Sequence, residues 1–479
     1  MRRLIHFQMR PPHLIDADLH FLDIATLATR IRTRAISPVA VTRAQLDRIA
    51  AVDDRLGGYA LVTADHALAQ AETAAAEIAA GRYRGPLHGV PIAVKDLCWT
   101  KDVPTAAGMT IHKDHRPRED ATVVRRLADA GAVLLGKLQL TEGAYADHHP
   151  LVTPPKNPWH ADYWPGISSS GPGAALAAGL CYGAIGSDTG GSIRWPSAAN
   201  GVTGLKPTWG RVSRHGVFEL AASMDHVGPM TRSAVDAGIM LGAIAGSDAH
   251  DPTTLRDPVP DYMAAAAHSV QGLRIGIDIA WNTDDVDAAT QAVLAEATDV
   301  LRGLGAHVVD VRFPDVTQAI LDWVPHCAVE AAVAHEATYP AHKGSYGPVL
   351  ASVIEAGRAL SGTDYQKIRL RRMDLRGRVS ALFDTIDLLL APVHPFAPLT
   401  LAMIRTLGEQ PDLIVKLQRY TCPFDMTGNP TITLPGGFTS AGLPIGFQLV
   451  AGHLGEATLV RAGAAFQRAT PWHRRHPTL

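Results

Sequence analysis

The chain alternates short, β-branched apolar segments with stretches of helical character, and this alternation limits its fold more than any other feature. Residues 90–97 (VPIAVKDL) have the length and composition of a buried strand. Asp120 is placed to cap a helix bearing Val123, Val124 and Leu127, Gly131 to end it, and 132–135 to form the next strand. The pattern resumes with a strand over 273–279, a helix near 287–303 and, after Gly305, a strand over 307–313. Strands at 386–393, 431–434 and 444–450 precede a last helix at about 457–469. Nearer the start, Ser37 followed by Pro38 marks the first clear helix, with Leu46 and Ile49 on one face, and an alanine-rich helix runs from about 63 to 81. Strands alternating with helices predict an α/β fold with a largely parallel sheet covered on both faces. The Pro- and Asp-rich stretch 248–262 reads as a long surface connection.

Composition excludes several classes of function. Of 479 residues, 47% are hydrophobic and 19% charged, a globular balance and not a disordered one. A formal net charge of −2 leaves no electrostatic footprint for nucleic acid or an anionic membrane. No run approaches the ~18 apolar residues of a membrane span, and Gln8, Arg10, Pro11 and Pro12 break up the start, so no signal peptide is expected. Cys98, Cys181, Cys327 and Cys422 lack the spacing of metal ligands or of a disulfide framework. They read as buried free thiols in a reducing cytoplasm. The basic residues divide into 35 Arg and 9 Lys, so a lysine inside an apolar segment stands out.

The candidate chemistry lies in 157–233. Gly166-Ile167-Ser168-Ser169-Ser170-Gly171 precedes an alanine-rich segment, and Gly186-Ser187-Asp188-Thr189-Gly190-Gly191-Ser192-Ile193-Arg194 follows it. Glycines let backbone amides approach a ligand, and a serine beside them can be a nucleophile. Gly190, Gly191 and Ser192 can form a nest of amides around a developing oxyanion. Flexible linkers seldom carry Asp188, Arg194 and Trp195 at their edges. Other motifs fail: the run after Gly171 lacks the third glycine of a dinucleotide fingerprint. Gly131 to Lys137 has the spacing of a phosphate loop, but Leu138 replaces the magnesium-binding hydroxyl and the intervening residues read as a strand. Ser192 has no Gly-x-Ser-x-Gly elbow and no histidine close in sequence. His88, His215 and His226 are read as structural. The base must lie elsewhere, and Lys95, a rare lysine ending an apolar strand, is the candidate, because desolvation favours its neutral, proton-accepting form.

With these residues in view, the sequence resembles the amidase signature family, hydrolases with a Ser–cis-Ser–Lys triad. The resemblance runs from about 23 to 469 and rests on an ordered series: 85–91 (GPLHGVP), 94–96 (VKD), 204–208 (GLKPT), 228–233 (GPMTRS), 427–430 (TGNP) and 442–448 (GLPIGFQ). It implies an α/β/α sandwich around a large mixed β-sheet and a hydrolase of amide C–N bonds that needs no cofactor and no metal. It implies Ser192 as nucleophile, Ser168 as bridging serine after a cis Ile167–Ser168 peptide, and Lys95 as base. The backbone amides of Thr189, Gly190, Gly191 and Ser192 would form the oxyanion hole. Ile167, Ser170, Pro172 and Asp425 depart from the family's usual residues, Asp425 standing where asparagine is more common.

The resulting organisation is an N-terminal extension (1–22), an amidase domain (23–470) with its signature core at 85–235 and a variable substrate-side segment at about 315–425, and a C-terminal tail (471–479). Tyr145, Ile167 and Trp209, with Trp164 and Trp195, are candidates for an apolar substrate pocket. That pocket points to apolar or aryl small-molecule amides, or to carbamates (urethanes) or esters by the same route. A glutaminase-type subunit of a tRNA-dependent amidotransferase is the alternative within the family. A binding protein without catalysis is the alternative outside it, and the intact Lys95, Ser168 and Ser192 argue against that. The expected partner is the small-molecule substrate alone, with no nucleic acid and no membrane, and the expected state is a cytoplasmic monomer or homodimer.

Overall fold

Successive side chains of the strand Pro91–Lys95 face opposite cores: Ile92 and Val94 join one buried cluster and Ala93 another. A computed structural model describes residues 19–479, so most of the expected N-terminal extension lies outside the described residues. Its eleven strands are β1 (Tyr59–Val62), β2 (Pro91–Lys95), β3 (Val133–Leu138), β4 (Gly183–Asp188), β5 (Thr203–Lys206), β6 (His226–Thr231), β7 (Arg274–Ile277), β8 (His307–Asp310), β9 (Leu388–Pro392), β10 (Thr431–Phe438) and β11 (Pro444–Ala451). They form one mixed sheet in the order β1-β3-β2-β4-β6-β5-β10-β11-β9-β7-β8. The helices Ile24–Arg32, Ala234–Ile244, Ala288–Gly303 and Glu456–Ala469 pack into the larger core, and Pro38–Leu56, Ala64–Ala79 and Ser170–Ala177 into the second. This is an α/β fold with helices on both faces.

The sheet is less parallel than the alternation predicts. β2 pairs in parallel with β3 and β4, and β7 with β8 and β9. The other six neighbour pairs are antiparallel. β6 inserts between β4 and β5 against their direction, and β10 and β11 form a hairpin. Of these, β4, β5 and β6 escape pattern reading because glycine and proline occupy positions where a strand normally shows β-branched residues. Gly204 illustrates why: a Cβ there would lie 2.2 Å from Ser197 Oγ.

Local signals held unevenly. Ser37 caps its helix by accepting the Val39 N–H. Asp120 does not cap Thr122–Asp129, because its carboxylate accepts the Lys101 N–H at 2.7 Å instead. An earlier helix, Ile24–Arg32, capped by Asp23, precedes the one read as first. All four cysteines are buried free thiols. The stretch 315–425 carries the helices Thr317–Ala334, Pro348–Ala359, Gly362–Leu382 and Cys422–Thr427, together with β9. Residues of the C-terminal tail pack on the body, where His476 stacks on Phe21 at 3.7 Å. Among the described residues no helix is long and apolar enough to cross a membrane.

Thr317–Ala334 and Pro348–Ala359 meet at Gly357, where a Cβ would lie 1.9 Å from the Ala328 carbonyl oxygen. Gly357→Ala is expected to lower stability by ~1–3 kcal/mol through overpacking, read as a lower midpoint in denaturant titration.

Candidate functional site

Parallel pairing of β2 with β4 sets Val94 opposite Ile185. Lys95 and the turn after Asp188 therefore emerge side by side at the carboxyl ends of the strands, where α/β sheets commonly bind ligands. Lys95 is completely buried, and its Nζ donates to Ser168 Oγ at 2.7 Å and to Ser187 Oγ at 2.9 Å. Burial lowers its pKa to about 7, against the partial opposition of Cys98, Asp188 and Asp225. Burial thus favours the uncharged amine, the form able to take a proton from a hydroxyl.

The Ile167–Ser168 peptide is cis. Ser169 ties this segment to the turn, its N–H donating to the Ser192 carbonyl at 3.3 Å and its hydroxyl to the Ser187 carbonyl at 3.2 Å. Lys95 and Ser168 are thus in direct contact, while Ser192 joins them through the backbone. The Ser192 hydroxyl makes no hydrogen bond among the described residues.

Pinned carbonyls orient the amides of the turn, since a trans peptide directs its C=O and the next N–H oppositely. The Trp323 indole donates to the Thr189 carbonyl at 2.8 Å, turning the Gly190 N–H to the other side. Thr421 and Cys422 hold the Gly190 carbonyl at 2.6 and 3.4 Å, and the Gly191 carbonyl accepts the Trp195 N–H at 2.7 Å. The expected four-amide cradle is narrowed by Asp188, whose Oδ1 takes the Gly191 N–H at 2.6 Å. Thr189, Gly190 and Ser192 keep amides without acceptors among the described residues. Both glycines are obligatory: a Cβ on Gly190 would lie 2.5 Å from Trp323, and Gly191 has φ +137° with Trp195 at 2.6 Å.

A buried ionic chain fixes the turn from behind. Asp188 accepts from the Ile193 N–H at 3.0 Å and from Arg194 Nε and NH2 at 3.0 and 2.9 Å. Arg194 also donates to the Thr421 carbonyl at 2.8 Å and to Asp425 Oδ2 at 2.5 Å. Burial alone would raise the Asp188 carboxyl, but the Arg194 guanidinium carries it well below the usual range. Asp425 Oδ1 has no hydrogen-bond donor among the described residues and faces His226 at 3.5 Å and Lys206 at 4.0 Å. His226 thus belongs to this chain of groups, whereas His88 packs under Gly131 and His215 stacks on His250.

Of the pocket candidates, Trp164, Ile167 and Trp195 share one apolar cluster with Phe396, Leu399 and Leu417. Tyr145 packs at the edge of the main core, and burial pushes its phenol up. Trp209 stands apart from that cluster, its indole donating to the Ala222 carbonyl at 3.3 Å beneath the Arg214 guanidinium. Sequence reading missed Ser187, Trp323, Thr421 and Cys422 as parts of the site. The only sequence signal for this surrounding was Asp188 and Arg194, charges within an otherwise uncharged glycine-rich stretch.

The amidase family profile matches residues 40–460. The protein AmiD of Mycobacterium tuberculosis is 49% identical over 468 residues, which span 98% of each chain. The chain belongs to the amidase family. As an amidase it hydrolyses amide C–N bonds. The glutamyl-tRNA(Gln) amidotransferase A-subunit of Geobacter metallireducens is 36% identical, over 95% of this chain and 99% of that protein. The crystal structure of a bacterial aryl acylamidase of the amidase signature family superposes with a TM-score of 0.86 at 27% identity, covering 95% of this chain and 98% of that one.

Removing one partner of a buried ion pair leaves the other charge uncompensated. Asp188→Ala is expected to cost the amidase ~3–5 kcal/mol of stability, measured as a loss in unfolding free energy against the wild type.

Proposed function

We propose that this amidase works through a serine acyl-enzyme, with Ser192 as nucleophile, Ser168 as relay and Lys95 as base. The observation that carries the reading is the 2.7 Å contact between a fully buried lysine and Ser168, whose neighbour Ser169 is tied to Ser192. Neutral Lys95 takes the Ser168 proton while Ser168 takes that of Ser192, and Ser192 Oγ bonds to the substrate carbonyl carbon. The oxyanion so formed meets the amides of Thr189, Gly190 and Ser192. The C–N bond then breaks as the relay returns its proton to the departing nitrogen, and water cleaves the acyl-enzyme by the same steps reversed in role. The link between the Ser168 and Ser192 hydroxyls closes when substrate is bound, because catalytic hydrogen bonds are commonly loose without it.

For substrate, the apolar wall of Trp164, Ile167 and Trp195 beside Ser168 and the similarity to an aryl acylamidase support apolar or aryl small-molecule amides. Aryl carbamates and esters share the route. The amidotransferase relative supports a second reading, a glutaminase-type activity. kcat/KM for an acyl anilide is expected to exceed that for glutamine, and a preference for glutamine would reverse the order of the two readings.

Ser192→Ala is expected to lose turnover by ~10³-fold or more and to lose covalent labelling by a serine-reactive fluorophosphonate. Wild-type activity in that variant would overturn the assignment. The pH profile has a defined sign: protonated Lys95 cannot act as base, so kcat/KM should rise with pH through a midpoint near Lys95's value of about 7. Lys95→Ala should be nearly as damaging as Ser192→Ala and should abolish that limb.

A further inference from the structure

A cavity of about 10 Å³ touches the catalytic floor at Ser187, Thr189 and Asp225, room for about one water. Outside it opens a cleft of about 520 Å³ between Trp99, His215 and His250. Arg214, Val217, Phe218 and Glu219 line both spaces and form the partition between them. Arg214 and Glu219 are paired across it at 2.9 Å.

The two members of that pair differ. The Arg214 side chain is 9% exposed and that of Glu219 46%. Arg214 is held in place: the Trp209 ring lies 5.7 Å from its guanidinium, Asp251 accepts its backbone N–H at 2.8 Å, and its NH2 donates to Thr253 Oγ1 at 3.3 Å. Its Nε is buried and has no hydrogen-bond partner among the described residues. An arginine presents a planar fork suited to two carboxylate oxygens, and here Glu219 engages only the NH1 corner. Glu219 can swing into water at little cost, since an ion pair with a well-exposed member contributes little. The neighbouring carboxylates do not oppose an incoming one with free oxygens: Asp225 accepts from Thr189 and the Leu220 and Ala221 amides, and Asp251 from Arg214 and Thr253.

We infer that Arg214 is a specificity-determining residue that binds a carboxylate on the substrate beside the catalytic floor, with Glu219 as the group it displaces. The substrate class is an amide bearing a carboxylate on its acyl chain or on its leaving amine, its apolar part meeting the Trp164, Ile167 and Trp195 wall. This deepens the proposed function and rests on its placing of the reacting amide at Ser192. It also gives Trp209 a part in recognition, through the arginine it supports.

Two matched pairs of substrates test the inference. 4-Acetamidobenzoate against 4-methylacetanilide places the carboxylate on the leaving amine, and succinanilate against butyranilide places it on the acyl chain. In at least one pair, the charged-to-neutral ratio of kcat/KM should fall about tenfold or more in Arg214→Leu, chiefly through KM. The same ratio should rise in Glu219→Gln, which removes the competing carboxylate. The pair that responds identifies the side of the scissile bond. Glu219 is well exposed, so Glu219→Gln keeps the test available if Arg214→Leu does not fold. Turnover of neutral anilides with ratios unchanged in both variants overturns the carboxylate site alone. No turnover of any of the four amides overturns it together with the aryl-amide reading.

Discussion

A guanidinium with no contact to water organises the centre of this protein. Arg194 lies between Asp188 and Asp425, and all three side chains are fully buried. Desolvating such charges is expensive unless every one is paired and hydrogen-bonded, so the fold must bring the partners together with little freedom. Asp188 ends β4, Arg194 begins the helix after the glycine-rich turn, and Asp425 comes from the far end of the chain. Between the two anchors, Thr189 to Ile193 has little choice of path. The helix that brings Asp425 also brings Cys422, next to Thr421, to the Gly190 carbonyl, so charge pairing and amide orientation are set by one element.

Three of the nine lysines are completely buried, and their partners separate their roles. Lys137 lies 3.3 Å from Asp96 and donates to the Cys98 carbonyl and Thr105. Lys206 donates to the carbonyls of Phe424 and Asn429. Carbonyls and carboxylates only accept, and the Thr105 hydroxyl already gives its proton to the Val103 carbonyl at 3.3 Å. Lys95 alone of the three faces two hydroxyls, on Ser168 and Ser187, which can both give and receive a proton. Burial lowers the pKa of Lys95 and of Lys206 alike to about 7, so the partner chemistry, and not the shift, marks Lys95 as the candidate base.

Much of the fold was legible in the sequence. The strands at 91–95, 133–138, 274–277, 307–310, 388–392, 431–438 and 444–451 lie where apolar, β-branched runs predict them. β4, β5 and β6 were not legible, because Gly186, Gly204 and Gly228 are small where neighbouring elements crowd in, and glycine erases the pattern that identifies a strand. Those strands make three of the six antiparallel pairings; the other three lie at β1, at the β10–β11 hairpin and between β11 and β9. Asp120 shows the limit of local rules: it has the right type and position for a cap, yet the Lys101 amide competes for it.

The sequence by itself singled out the residues proposed for the site, since the ordered motifs point to Lys95, Ser168 and Ser192 before any coordinates are considered, and the structure brings Lys95 and Ser168 into contact. Chain order also fixed the nearness of Asp188 and Arg194 to Ser192, only a few residues away. Tertiary structure alone decided which amides face outward, because Trp323 and Thr421, more than 130 and 230 positions from their carbonyl partners, aim them. It also withdrew the Gly191 amide into Asp188 and moved Trp209 from the apolar wall to the support of Arg214. The physical reason is the same in each case: a hydrogen bond or ring contact depends on distance and direction in space, and neither is encoded in the spacing of residues along a chain.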